Sequence, residues 1–221
     1  MTLNQSSGRV AGVNDPSNAS LHGTFSYGSL VNAGTLPKPT HAVPCSLNGW
    51  QRLWFHRVAG TNIGGVCALT VYPRSDAVTK GVLLVNEVEE LPERDKREEG
   101  YSRVVLPLSD MDTFERDPLA ESIHVYRSDP EHFGAGDSEF PILWSYVETV
   151  LIGYRNVFGD EAIEEFITTT GGWHAPVLLD RKQAIYPRHT PVSPRESDEL
   201  LERTKLAVES IGVKLNLVEY S

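Results

Sequence analysis

From Thr24 to Arg127 the apolar residues arrive in short runs, each cut off by Gly, Pro or Asp before a helical period can establish itself. Thr24-Phe25-Ser26-Tyr27 alternates into Gly28, and Trp50 to Arg57 is rich in aromatics. Val66–Tyr72 and Val78–Val85 (around Gly81) are compact apolar stretches of the kind that make buried strands. Tyr101–Leu108 and Ser122–Arg127 return to the same pattern. Strands this close together, with little helix between them, predict an antiparallel or mixed sheet closing as a small barrel. A doubly wound sheet is disfavoured, and neither a GxGxxG nor a Walker sequence is present.

Two stretches interrupt the strands. Asn32 to Pro44 carries Pro37, Pro39 and Pro44, which forbid a long regular element and predict a loop or short helix. Glu87 to Glu99 is charged with few apolar anchors and suits a short exposed helix or turn. The last third then changes character. After a loop from Asp129 to Glu139, Pro141 is placed to open a buried helix over Ile142–Ile152, and Asp160 to cap a second over 161–167. Ser193-Pro194-Arg195-Glu196 matches a capping box for a third helix, running to about Ile211, with Leu200, Leu201, Leu206, Ala207 and Ile211 inward. Val213 to Glu219 alternates as a final half-buried strand. The expected class is therefore α+β: a mixed barrel over about 22–127, flanked by helices, with a helical extension over about 138–221. Residues 1–20, rich in Ser, Asn and Gly, read as a flexible tail before this single domain.

Charge narrows the partners. Twenty Lys and Arg against thirty Asp and Glu give −10, which argues against nucleic acid and anionic membrane surfaces. Pro187-Arg188-His189 remains a local basic site. Cys45 and Cys67 lie in no CxxC or zinc spacing and read as small buried hydrophobes. No run approaches the ~18 apolar residues of a membrane span, and the first twenty lack a signal-peptide layout, so the simplest expectation is the cytoplasm.

Two short segments carry candidate chemistry. In Tyr27-Gly28-Ser29-Leu30 a glycine after a strand lets successive N–H groups point into one hollow, where they can hold a carboxylate or a developing oxyanion. The bland alternative is a plain glycine turn. In Asp95-Lys96-Arg97-Glu98-Glu99-Gly100-Tyr101-Ser102-Arg103 a carboxylate turned inward would serve as a general base. The bland alternative is a solvated charged face, and composition does not choose between Glu98 and Glu99. Tyr101 and Tyr126 either hydrogen-bond a substrate or pack in the core. The Gly/Trp/Pro-rich segment from Gly172 to Arg188 either caps a pocket, with Arg181 or Arg188 meeting a carboxylate, or stitches the helices to the sheet. The seven histidines pair with no recognisable nucleophile.

The Tyr27–Leu30 turn followed by Glu98 in an Arg-Glu-x-Gly-Tyr-x-Arg setting resembles the gamma-glutamylcyclotransferase-like superfamily. Gly49–Phe55, Leu69–Pro73 and Gly81–Leu83 resemble its middle strands, so the likeness spans about 22–127. It implies a small β-barrel with flanking helices. Tyr27, Gly28, Ser29 and Leu30 would bind a γ-glutamyl group through backbone N–H donors, and Glu98 would be the acid/base. It implies a small γ-glutamyl substrate and neither metal nor nucleotide cofactor. The chain departs from the pattern where Leu91-Pro92-Glu93-Arg94-Asp95 replaces the usual Leu-Asp. The implied reaction is cyclisation to 5-oxoproline with release of an amine. Glutathione, γ-glutamyl amino acids and γ-glutamylamines all remain open as substrates. A non-catalytic ligand-binding protein on the same fold is the alternative, with hydrolysis to glutamate a third reading.

Overall fold

A computed structural model describes residues 20–36, 40–113 and 120–220. The expected tail, apart from Ser20, and Pro37 and Pro39 lie outside the described residues. Strand β1 (Leu21–Ser26) sits inside a six-stranded sheet with β2 (His41–Thr61), β3 (Gly64–Glu87), β4 (Tyr101–Leu106), β5 (Met111–Thr113) and β6 (Ser122–Ser128). Their order is β4-β6-β1-β3-β2-β5, with β1 and β6 parallel and every other pair antiparallel. The expected strands are therefore present, but the barrel is not seen to close. Among the described residues no ladder joins edge strand β4 to edge strand β5.

The middle strands are longer than their sequence suggests. Val66–Tyr72 and Val78–Val85 are one strand, and Pro44, expected in a loop, lies inside β2 opposite Val82. An antiparallel residue directs its N–H to one neighbour only, and on the outer side of β2 pairing begins at Cys45. Pro73 faces Trp50 where the register shifts between Asn48 and Trp50, so a bulge absorbs the proline.

Helix α1 (Leu91–Arg97) fills the charged interruption. The last third contains α2 (Trp144–Phe158), α3 (Ala162–Thr169) and α4 (Pro194–Ser210). It also forms a small parallel sheet of β7 (Ile142–Leu143), β8 (Val177–Leu179) and β9 (Leu217–Glu219). Pro141 thus precedes a strand, because Ile142 and Leu143 pair with Val177 and Leu178 before the helix begins. Asp160 does not cap α3; its carboxylate takes the stronger, charge-assisted bond from Arg203 Nη1 at 3.0 Å. The Ser193 cap is as expected, its Oγ accepting from Glu196 N–H at 3.2 Å. Leu206 (66% exposed) and Ile211 (41%) fall outside the inner stripe of α4, which runs through Leu200, Thr204, Ala207 and Val208. The final strand shrinks to β9, since β8 offers only three residues to pair.

One hydrophobic cluster runs from the sheet (Phe25, Leu83, Val125) through Trp54 and Trp173 to the helices (Trp144, Ile163). Cys45 and Cys67 are buried and unpaired, and burial pushes both thiols up to about 12. No helix among the described residues is long and apolar enough to cross a membrane.

Candidate active site

The ends of β1 and β6 and the start of β4 meet at one end of the sheet, since Phe25 pairs with Val125 and Tyr101 with Ser128. A cavity of about 510 Å³ opens there. Tyr27, Gly28, Ser29 and Leu30 of the first segment, Glu98, Glu99 and Tyr101 of the second, and Tyr126 from β6 all line it.

The loop after β1 is a tight turn held from below. Val31 N–H returns to Gly28 C=O and Asn32 N–H to Ser29 C=O, both at 3.0 Å. The N–H groups of Gly28, Ser29 and Leu30 consequently have no partner within the turn. Tyr27 C=O accepts from Tyr154 Oη at 3.0 Å, and Asn32 Nδ2 donates to Thr149 C=O on α2 at 2.9 Å. Gly28 allows a close approach: its φ of −124° is open to any residue, but a Cβ there would lie 3.1 Å from the Tyr146 hydroxyl, which would have to give by a few tenths of an ångström. Ser29 Oγ accepts from Tyr186 Oη at 2.7 Å, which leaves the serine its own proton to donate.

Glu98 ends α1. Gly100, at φ +85°, then turns the chain into β4, a conformation that favours glycine. The side chain of Glu98 is 20% exposed, whereas Glu99 is exposed. Burial raises the Glu98 carboxyl above the ordinary glutamate range, and the charges of Arg97, Arg188 and Arg94 partly oppose that rise. Arg97 Nε stands 3.9 Å from Glu98 Oε1, beyond hydrogen-bond reach. Four phenols feel the Glu98 charge: Tyr27, Tyr101, Tyr126 and Tyr146.

The three tyrosines expected to bind substrate all line the cavity, but their hydroxyl protons are committed. Tyr27 Oη donates to Tyr126 C=O and Tyr101 Oη to Leu69 C=O, each at 2.7 Å, and Tyr126 Oη donates to Asp95 Oδ1 at 2.6 Å. What they offer a ligand is ring surface and a lone pair.

Two further wall residues, His56 and Tyr146, were not legible as such. His56 stacks on Tyr101 with ring centroids 3.7 Å apart, and its Nδ1 lies 2.9 Å from Ser128 Oγ. Burial and the neighbouring His132 lower it to about 4, which keeps the ring neutral. Its signal was the period-2 alternation that puts Arg52, Trp54 and His56 on one face of β2. Tyr146 and Tyr186, stacked at 4.6 Å, come from α2 and the segment after β8. That segment both caps and stitches. Buried Asp180 accepts from Ser145 N–H, Ser145 Oγ and Ile185 N–H, which caps α2 and brings Tyr186, Pro187 and Arg188 to the cavity wall. Arg181 instead pairs with Asp198 at 2.5 Å. Among the described residues no group of three His, Cys, Asp or Glu is placed to hold a metal ion. The cavity brings together a turn whose N–H groups have no partner within it, a sheltered carboxylate and aromatic walls.

No family model and no curated protein matches the chain. Solved structures similar to it include a gamma-glutamyl cyclotransferase, 11% identical over 84% of this chain and 99% of that one, with a TM-score of 0.47. A gamma-glutamyl cyclotransferase specific to glutathione from yeast is 15% identical over 85% and 97%, with a TM-score of 0.44. An uncharacterized protein from Homo sapiens is 12% identical over 83% and 99%, with a TM-score of 0.48.

Proposed function

We propose that the chain is a gamma-glutamyl cyclotransferase with Glu98 as its general acid/base. The observation that carries this reading is the sheltering of the Glu98 carboxylate, with its proton affinity raised, in a cavity also lined by Gly28, Ser29 and Leu30, whose N–H groups have no partner within their turn. Its neighbour Glu99 also lines the cavity but is the more exposed of the two.

The chemistry follows from that pairing. The substrate's α-amine attacks its own side-chain amide carbonyl; one C–N bond forms, closing a five-membered ring, and the original amide C–N bond breaks. Glu98 takes the proton the attacking amine sheds and returns it to the departing nitrogen, giving 5-oxoproline and a free amine. A carboxyl with raised proton affinity suits both halves of that transfer. The N–H groups of the turn hold the α-carboxylate or the tetrahedral oxyanion. Because the nucleophile is already tethered, the walls act chiefly by fixing the curled conformer, an effect that reaches ~7–11 kcal/mol in favourable cases.

A mass-spectrometric screen of γ-glutamyl compounds tests the reaction. Release of 5-oxoproline supports it. Free glutamate would indicate hydrolysis, and binding without turnover a ligand-binding protein; either result overturns the proposal.

A further inference from the structure

We infer that Arg97 and Arg188 form a carboxylate clamp at this cavity, so that its substrates are γ-glutamyl amino acids or peptides whose leaving group carries a free carboxylate, and not γ-glutamylamines. The inference rests on the cyclotransferase reading of the same site.

The two arginines reach the cavity from distant elements, Arg97 from the last turn of α1 and Arg188 from the segment pinned by Asp180. They stand close enough that the charge of Arg188 weighs on Arg97. Arg97 Nε and Nη2 are buried with no hydrogen-bond partner among the described residues. Glu98 does not supply one, at 3.9 Å from Nε. Arg188 Nε donates to Tyr186 Oη at 3.3 Å, and that hydroxyl donates onward to Ser29 Oγ, which ties the guanidinium to the anion-binding turn. Four other arginines meet carboxylates: Arg57 with Asp137, Arg155 with Glu196, Arg181 with Asp198, Arg203 with Asp160 and Glu164.

In a chain of net charge −10, two arginines that line one cavity with a single sheltered carboxylate leave room for another anion. The unpartnered Nε and Nη2 of Arg97 form the edge of a guanidinium that suits a planar carboxylate accepting two parallel bonds. The turn N–H groups already serve the glutamyl moiety's own α-carboxylate or the oxyanion. A γ-glutamyl amino acid brings a second carboxylate, and a γ-glutamylamine does not.

The test uses the full chain and two compounds that differ only in that group, γ-glutamylalanine and γ-glutamylethylamide. The kcat/KM for 5-oxoproline release is measured for each, with dissociation constants by calorimetry alongside. The native protein is expected to favour γ-glutamylalanine by about ten-fold or more in both quantities, as charge-assisted bonding to a carboxylate implies. Arg188→Gln and Arg97→Gln each collapse that ratio toward one, and Arg188→Lys, which keeps a charge but loses the fork, gives an intermediate value. A native ratio near one overturns the clamp. So does an Arg188→Gln variant that weakens both compounds equally, since the pair would then serve the glutamyl carboxylate. If neither compound releases 5-oxoproline, the cyclotransferase reading falls separately, and the ratio of dissociation constants alone decides the clamp.

Discussion

Glu98 is a carboxylate kept under tension between burial, which favours its proton, and three arginines, which favour its charge. Burial prevails, so the acid limb of the kcat/KM profile is expected above the range of an ordinary glutamate. Arg97→Gln removes one of the opposing charges and should move that limb further up; a downward move would contradict the assignment. The same balance has a sign for stability. A carboxyl whose folded pKa is raised binds its proton more tightly when folded, so its contribution declines as pH rises from the unfolded value through the folded one. At pH 7 the charge is a cost, and Glu98→Gln should raise Tm, by about 2–4 °C for each kcal/mol relieved. Calorimetry showing a lower Tm would mean that the ionised form is the stabilising one. Sequence alone made this residue a candidate because a glycine and an aromatic strand follow it. It could not separate Glu98 from Glu99, since which of two neighbours turns inward depends on the exit angle from α1.

Among elements, the join between the long hairpin and the helices depends on a residue that sequence reading passed over. Arg52, on β2, is 1% exposed and carries no carboxylate on its guanidinium. Its Nε donates to Thr170 Oγ1 at 2.8 Å and Nη1 to Tyr154 Oη at 2.5 Å, with longer bonds to the carbonyls of Lys80 and Phe166. The guanidinium also lies 3.9 Å from the centre of the Phe166 ring. One side chain thus ties β2 and β3 to α2 and α3 beneath the Tyr27 turn. Arg52→Leu leaves those acceptors unpaired and is expected to cost at least about 3 kcal/mol, a loss of about 6–12 °C in Tm. A change within a degree would show the network to be dispensable. Most strands, α1 and the Ser193 cap were legible because their signals are local. The start of α2 was not, because its cap is Asp180, 35 residues further along the chain. Nor was the continuity of β3, because a bulge conceals Pro73 from any rule about proline in strands.

At the scale of the whole molecule, buried histidines set the response to acid. His56 and His124 are both held down to about 4, each chiefly by burial and next by a neighbouring histidine. The unfolded chain therefore takes up their protons first, and stability is lost as pH falls from 6.5 toward 4. Glu98 and Glu148, both raised by burial, act in the opposite sense. Tm should fall across that window, and a flat profile would show that the two rings are accommodated when charged. The fold class was visible in the chain because strand-length runs and helical periods occupy separate halves of it. The open sheet was not, because closure depends on how the edge strands β4 and β5 sit and not on their composition. At the end of that sheet a sheltered carboxylate and the Gly28–Leu30 turn line one cavity, and a matched pair of variants tests the proposed role of that carboxylate most directly. With a γ-glutamyl substrate that the native chain converts, Glu98→Gln should lose 5-oxoproline release by about 10²–10⁴-fold while Glu99→Gln, folded to the same Tm, keeps it. Retention of activity by Glu98→Gln, or its loss in Glu99→Gln alone, would contradict the account.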